Sequence, residues 1–385
     1  MQALISFLTH IAASIFIAFH AFFGAVATHP FASATSLPVA TTTKSQLPVT
    51  QNLSATVATT TPSIKLLPVK TSKAKALSVA GQKTDAETVS LPTPPPPPAP
   101  VVPPGVVNNT ARAALVNILC TTKNGGYLHP ISGSGVIVSD SGVIVTNAHV
   151  GQYFLLRDYI VPGNIDCVIR TGSPAMARYN ATLLYLPPAW IDANAKQIIS
   201  DEAVGTGEND YAFLLITSRT DPAATLPARF PTIPVTLDEP QRGEPVLLAA
   251  YPAGFLEGIT IEMSLYASSA FTTIADIFAF DSRGLPDVVS LGGSVVAQAG
   301  SSGGAVVRTQ DGALQAIVAT ATLGDTTATR DLRGITLSHI NQSLATAGMG
   351  GVVALLSGNM QQKAEHFAST VAPILRQKLV NALTH

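Results

Sequence analysis

Cysteine is nearly absent from this 385-residue chain, which has only Cys120 and Cys167. An even pair is compatible with one disulfide in an oxidising compartment, or with two unpaired buried thiols. Net charge is also missing: 22 Lys and Arg stand against 23 Asp and Glu. A balanced chain offers no electrostatic footprint for nucleic acid, so that class of partner is excluded. Neither a cluster of residues at metal-ligand spacing nor a glycine-rich nucleotide loop is present, so no cofactor and no metal are expected. The first Lys or Arg is Lys44, so flanking charge assigns no orientation to the apolar run that precedes it.

That run, Ala3 to Ala27, carries no acidic side chain and no Lys or Arg, and is interrupted only by His10, His20 and small polar residues. It is long enough to span a bilayer. Ala25-Val26-Ala27 fits a small-residue cleavage site, so residues 1–27 read as a signal peptide or a transmembrane anchor. A buried core helix does not fit, because the long stretch after Ala27 has no apolar face to bury it against. Residues 28–109 are rich in Thr, Pro and Lys and sustain no apolar periodicity, as expected of a disordered tether. The proline run from Pro92 to Pro104 predicts a stiff polyproline II spacer of about 40 Å. Six lysines from Lys44 to Lys83 read as solvated linker charge.

Beyond Ala111 the pattern changes to short β-branched runs punctuated by Gly, Asp and Pro, the mark of an all-β domain. Strands are expected over 115–121, 133–138, 142–146, 166–170, 179–186 and 211–217. After a Pro-containing stretch a second set is expected at 245–250, 258–266, 270–280, 294–298, 304–308 and 313–321. Residues 333–337 add a further strand and 339–347 a short closing helix. Asp140-Ser141-Gly142 is a tight turn, which places His149 just past a hairpin strand. In the tail, Phe367, Val371, Ile374, Leu375, Leu379, Ala382 and Leu383 recur at helical spacing over 361–383, with Pro373 placed to kink the helix. Its apolar face suits packing on a barrel, and also an oligomer or a membrane surface.

Three short stretches concentrate the chemistry. They are Thr146-Asn147-Ala148-His149-Val150, Asn209-Asp210-Tyr211-Ala212 and Gly300-Ser301-Ser302-Gly303-Gly304. A strand ending in a histidine, a strand opening at an aspartate and a glycine-rich serine turn, in that order, resemble the trypsin-like (chymotrypsin-fold) serine peptidases. The resemblance covers about Ala111 to Ala347. It is closest to bacterial envelope-type members, although nothing resembles their PDZ domain. Gly243-Glu244-Pro245-Val246-Leu247-Leu248 and Ala249-Ala250-Tyr251-Pro252-Ala253-Gly254 resemble the segment that opens the second barrel in those members.

The resemblance implies an all-β fold of two six-stranded antiparallel β-barrels, the first over 110–222 and the second over 223–347, with a C-terminal amphipathic helix over 348–385. It implies a serine endopeptidase acting on protein or peptide: Ser302 the nucleophile, His149 the base, Asp210 its orienting partner, and the N–H groups of Gly300 and Ser302 the oxyanion hole. Cys120 and Cys167 would lie on paired strands of the first barrel, where a bridge is possible. Val296, six residues before the serine, would lie at the base of the primary pocket, with Ala319, Thr320 and Ala321 along its wall. That lining implies a preference for small or medium apolar side chains. Ser301 stands where animal digestive members have an aspartate, so activation by an ion pair to a new N-terminus is not expected. Ala305 replaces the usual proline.

Two other functions compete. A catalytically silent binding module would keep this fold without turnover. An α/β-hydrolase esterase would use the same G-x-S-x-G run with Asp325 and His339 or His366, but its serine must open a helix, whereas 305–308 reads as strand. The expected location is extracytoplasmic, membrane-anchored or secreted, with the membrane contacted through the N-terminal segment. Nothing in the sequence specifies an oligomeric state.

Overall fold

The computed structural model describes residues 102–124, 128–199, 207–282, 284–321 and 326–384, the side chains of Thr320 and Ala321 excepted. The apolar segment 1–27, the tether as far as residue 101, and Asp325 lie outside the described residues.

Six strands close into an antiparallel barrel: β1 (Leu115–Thr122), β2 (Ile131–Ile137), β3 (Val143–Thr146), β4 (Ile165–Thr171), β5 (Met176–Tyr185) and β6 (Ala212–Arg219), in the order β1-β2-β3-β6-β5-β4. Closure brings β1 beside β4 with Cys120 opposite Cys167, and the two form a disulfide. The hairpin between β2 and β3 turns at Ser139 to Gly142, where Gly142 has φ +87° and donates to the Ser139 carbonyl at 2.9 Å. A side chain there would be strained and would also strike Phe230.

The second half is a seven-stranded sheet. Its strands are β7 (Pro245–Ala250), β8 (Ser268–Thr273), β9 (Asp276–Phe278), β10 (Val288–Ser290), β11 (Ala305–Arg308), β12 (Leu314–Ala321) and β13 (Leu332–Thr336), in the order β8-β7-β11-β12-β13-β10-β9. It curls as a half-barrel rather than closing into the expected second six-stranded barrel, because β8 and β9 stand at opposite ends of the order. A closed barrel followed by a half-barrel fits a chymotrypsin-like two-barrel fold.

Side-chain alternation explains how the halves join. Along β7, Val246, Leu248 and Ala250 enter a core belonging to the second sheet, whereas Leu247, Ala249 and Tyr251 join the core that contains the first barrel. Val306 against Ala305 and Val307, and Val318 against Ile317 and Ala319, divide in the same way. A strand presents successive residues to opposite faces, so a sheet buried on both sides reads as continuous apolar sequence. Each fully buried Val or Leu side chain contributes roughly 1.5–3 kcal/mol.

Several expectations need correction. Residues 104–109 are not tether, since Pro104–Ala114 is a helix with proline in its first turn, and Val107, Ala111 and Ala114 form a buried stripe. Asn108 accepts from Ser269 Oγ at 2.7 Å, and Arg112 Nη1 donates to the Ala267 carbonyl at 3.0 Å, so this helix is docked on the second half. The strand expected at 258–266 is a surface helix, Gly258–Met263, with Ile259 and Met263 exposed. Its β-branched residues have no sheet to enter; instead the buried Arg170 guanidinium reaches across to the Ile261 and Glu262 carbonyls at 2.9 and 2.8 Å. Residues 294–298 are a turn, closed by the Ala297 N–H on the Ser294 carbonyl, and the strand instead falls earlier, at β10. The single strand expected at 270–280 is split into β8 and β9.

The tail is a series of short helices, Gly351–Leu355, Met360–Thr370 and Ala372–Thr384. The break falls at Val371, just before Pro373, which has no N–H to give to the preceding turn. Phe367, Leu375, Leu379 and Leu383 are buried, with Phe367 6.2 Å from the Tyr185 ring, so these helices pack on the first barrel. Among the described residues no helix is long and apolar enough to cross a membrane.

Candidate active site

The site forms where the first barrel meets the curled sheet. β3 is fully buried and runs into Asn147 and a single helical turn, Ala148–Gly151, which carries His149. β6 lies alongside with Thr146 opposite Ala212, so the residues just before β6 arrive next to His149. Asp210 takes both of that residue's donors: Oδ1 accepts the His149 backbone N–H at 2.9 Å, and Oδ2 faces Nδ1 at 2.8 Å. Asn147 Nδ2 donates to the Asp210 carbonyl at 2.8 Å, which holds the aspartate's backbone from below. Trp190, on the Pro188–Asn194 helix, lies 6.5 Å from the imidazole.

Asp210 is buried, and the His149 side chain keeps 24% of its surface. Burial lowers the pKa of the imidazole, but the charge of Asp210 and its hydrogen bond outweigh that, leaving the pKa above the ordinary 6.5. With Nδ1–H directed at the carboxylate, Nε2 is left as the free lone pair.

Ser302 sits on a turn that only glycine can make. Gly300 has φ +88°, and a Cβ there would lie 2.7 Å from the Tyr251 carbonyl oxygen; Gly303 has φ +83°, and a Cβ would meet the Ser134 carbonyl at 2.1 Å. The Ala299 carbonyl is held by the Ala253 N–H at 2.7 Å, which turns the Gly300 N–H the other way, as a trans peptide requires. Among the described residues no backbone carbonyl takes up the N–H of Gly300 or of Ser302. The Ser302 hydroxyl is partly exposed and donates to the Ala319 carbonyl at 3.4 Å; no hydrogen bond joins it to His149. Ser301 is buried, its hydroxyl unpartnered, at the position where an ion pair was not expected.

His149 and Asp210 are thus in direct contact, and Ser302 is tied to the same place through the buried Ser134. Ser134 N–H donates to the Ser302 carbonyl at 2.7 Å, and its Oγ donates to the Gly300 carbonyl at 2.8 Å while accepting the Tyr251 N–H at 2.9 Å. Thr146 Oγ1 donates to the Ser134 carbonyl at 2.7 Å, which links the serine turn to the strand that ends at His149. Sequence reasoning gave Ser134 no role. The signal was Gly133-Ser134-Gly135, a strand of residues too small to fill a core, which marks close approach of another backbone. Val296 is fully buried in the second core, whereas Ala319, 5% exposed, joins the core that contains the first barrel. For the rival esterase, Ser302 precedes strand β11 rather than opening a helix, His339 pairs with Asp287 and not with Ser302, and His366 lies exposed on a C-terminal helix.

Residues 133–317 match the trypsin-like peptidase domain family, a span that includes His149, Asp210 and Ser302. Among solved structures the chain is similar to the Rv3671c protease from M. tuberculosis in its active form, with 19% sequence identity, a TM-score of 0.40, and coverage of 69% of this chain and 95% of that one. No curated protein matches the chain. The match of residues 133–317 to the trypsin-like peptidase domain family supports a serine peptidase.

Proposed function

We propose that this protein is a serine endopeptidase that hydrolyses peptide bonds through an acyl-enzyme, with Ser302 as nucleophile, His149 as base and Asp210 orienting the base. The observation that carries this reading is the pair of contacts from one buried carboxylate to His149, which fixes the ring with Nε2 outward. As Ser302 Oγ bonds to the substrate carbonyl carbon, its proton passes to Nε2, and the imidazolium formed is stabilised by Asp210. The same proton then goes to the leaving amine as the C–N bond breaks. Water repeats the sequence to release the acid. The oxyanion is met by the N–H groups of Gly300 and Ser302, each such donor being worth on the order of 3 kcal/mol. For attack, the hydroxyl turns from the Ala319 carbonyl toward Nε2, a rotation between staggered wells of an unbranched side chain.

A pocket for small or medium apolar residues on the acyl side of the cut is proposed from the apolar character of Val296 and the small size of Ala319 at their sequence positions, the two side chains joining different cores. A peptide library in which cleavage after Arg or Lys dominates would remove that part of the reading. No cofactor enters this chemistry. The Cys120–Cys167 bridge and the apolar run 3–27 support an extracytoplasmic, anchored or secreted location.

A second reading, a silent binding module, draws support from the Ser302 hydroxyl resting on Ala319 rather than on His149. Fluorophosphonate labelling separates the two. A peptidase labels at Ser302, and the label disappears in Ser302→Ala; a wild-type chain that stays unlabelled favours the binding module.

A further inference from the structure

A second histidine–aspartate pair lies behind the first. His339, in the helix Leu337–Thr346 that comes after β13, is 9% exposed, and its Nδ1 faces Asp287 Oδ1 at 2.8 Å. Asp287 is itself fixed, since Oδ2 accepts the Phe280 N–H at 2.8 Å, and the Phe280 ring stands edge-on to the imidazole at 4.9 Å. The ring's other nitrogen, Nε2, lies 2.7 Å from the Glu208 carbonyl oxygen. Glu208 is two residues before Asp210. A carbonyl only accepts, so Nε2 carries a proton and donates to it.

The same helix grips this loop at a second point. Tyr211 O–H donates to Ser343 Oγ at 2.9 Å, and Ser343 donates to Asn209 Oδ1 at 3.5 Å. Residues 208–211 are therefore held from two sides: Asn147 of the first barrel takes the Asp210 carbonyl, and His339 and Ser343 of the second half take its neighbours. The second grip adds a hold from the other half of the molecule to the one from the loop's own barrel.

We propose that His339 is a positioning residue for the peptidase reaction: held by Asp287, it donates Nε2–H to the Glu208 carbonyl and so sets where Asp210 meets His149. This rests on the proposed function above. Two conservative variants divide the ring's contacts. In His339→Gln the side-chain amide nitrogen replaces Nε2 and keeps the Glu208 bond; in His339→Asn it replaces Nδ1 and keeps only the Asp287 contact.

The experiment measures the second-order rate of fluorophosphonate labelling at Ser302 in the full chain and both variants. The Gln variant is expected within about threefold of wild type and the Asn variant about tenfold or more below it, since small displacements of catalytic groups carry large rate penalties. Equal rates in the two variants, or the greater loss in the Gln variant, would overturn the inference. A wild-type chain that fails to label would instead overturn the peptidase reading. Should a variant not fold, the unmutated chain decides by long-range proton–nitrogen correlation of its histidine rings. The His339 Nε2 must be protonated, and a ring carrying its proton on Nδ1 alone overturns the inference.

Discussion

Two imidazole–carboxylate pairs of the same 2.8 Å length flank one loop, and they differ in what the far ring nitrogen meets. In His149 that nitrogen has no hydrogen-bond partner among the described residues and the side chain keeps 24% of its surface; in His339 it is bonded to a carbonyl and the side chain keeps 10%. A carboxylate behind a histidine does not by itself make a base. One ring is left able to accept a proton, and the other is committed at both ends to holding backbone.

The largest effect should come from removing the charge of one carboxylate and then of the other. Asp210→Asn keeps the shape but loses the anion and the enforced tautomer, and turnover of a peptide substrate should fall by about 10⁴-fold. Asp287→Asn, read in the same assay, should cost no more than about tenfold, because His339 can still reach Glu208. If the two variants lost comparable activity, the distinction between base and brace would not survive.

A smaller loss is expected from Gly300→Ala. The added Cβ meets the Tyr251 carbonyl at 2.7 Å on a backbone with φ +88°, so the turn must shift and the proposed oxyanion donor with it. Turnover should drop by about 10² to 10³-fold, and KM should change far less. A change confined to KM would separate this turn from the chemistry.

The mildest effect concerns pH. In the proposed mechanism His149 must be neutral to accept the serine proton, and its pKa lies above 6.5, so the rising limb of kcat/KM against pH should fall above 6.5. The same shift means that the His149 contribution to folding stability is present in full below pH 6.5 and is lost as pH rises through the folded-state pKa. A limb at or below 6.5 would mean that desolvation outweighs Asp210.

The sequence order of His149, Asp210 and Ser302 could be picked out because each lies in a local motif: a strand end, a strand start and a glycine turn, each announced by its neighbours. β7 was read to the residue, its apolar run bounded by turns on both sides. The helix at 258–263 was misread because Ile, Thr and Ile suit a strand, and only the distant Arg170 shows that no strand partner exists. The roles of Ser134 and His339 were not legible. Their partners are 166 and 131 residues away in the chain, and neither residue type signals such a bond in advance.

The alternation along β7, β11 and β12 bears on how this molecule can be dissected. A fragment beginning at β7 would bare Leu247, Ala249, Tyr251, Val307 and Ile317 to water, a wide oily face with unsealed strand edges. Such a piece, expressed alone, should be recovered in inclusion bodies, and should dissolve only when the barrel fragment is made beside it.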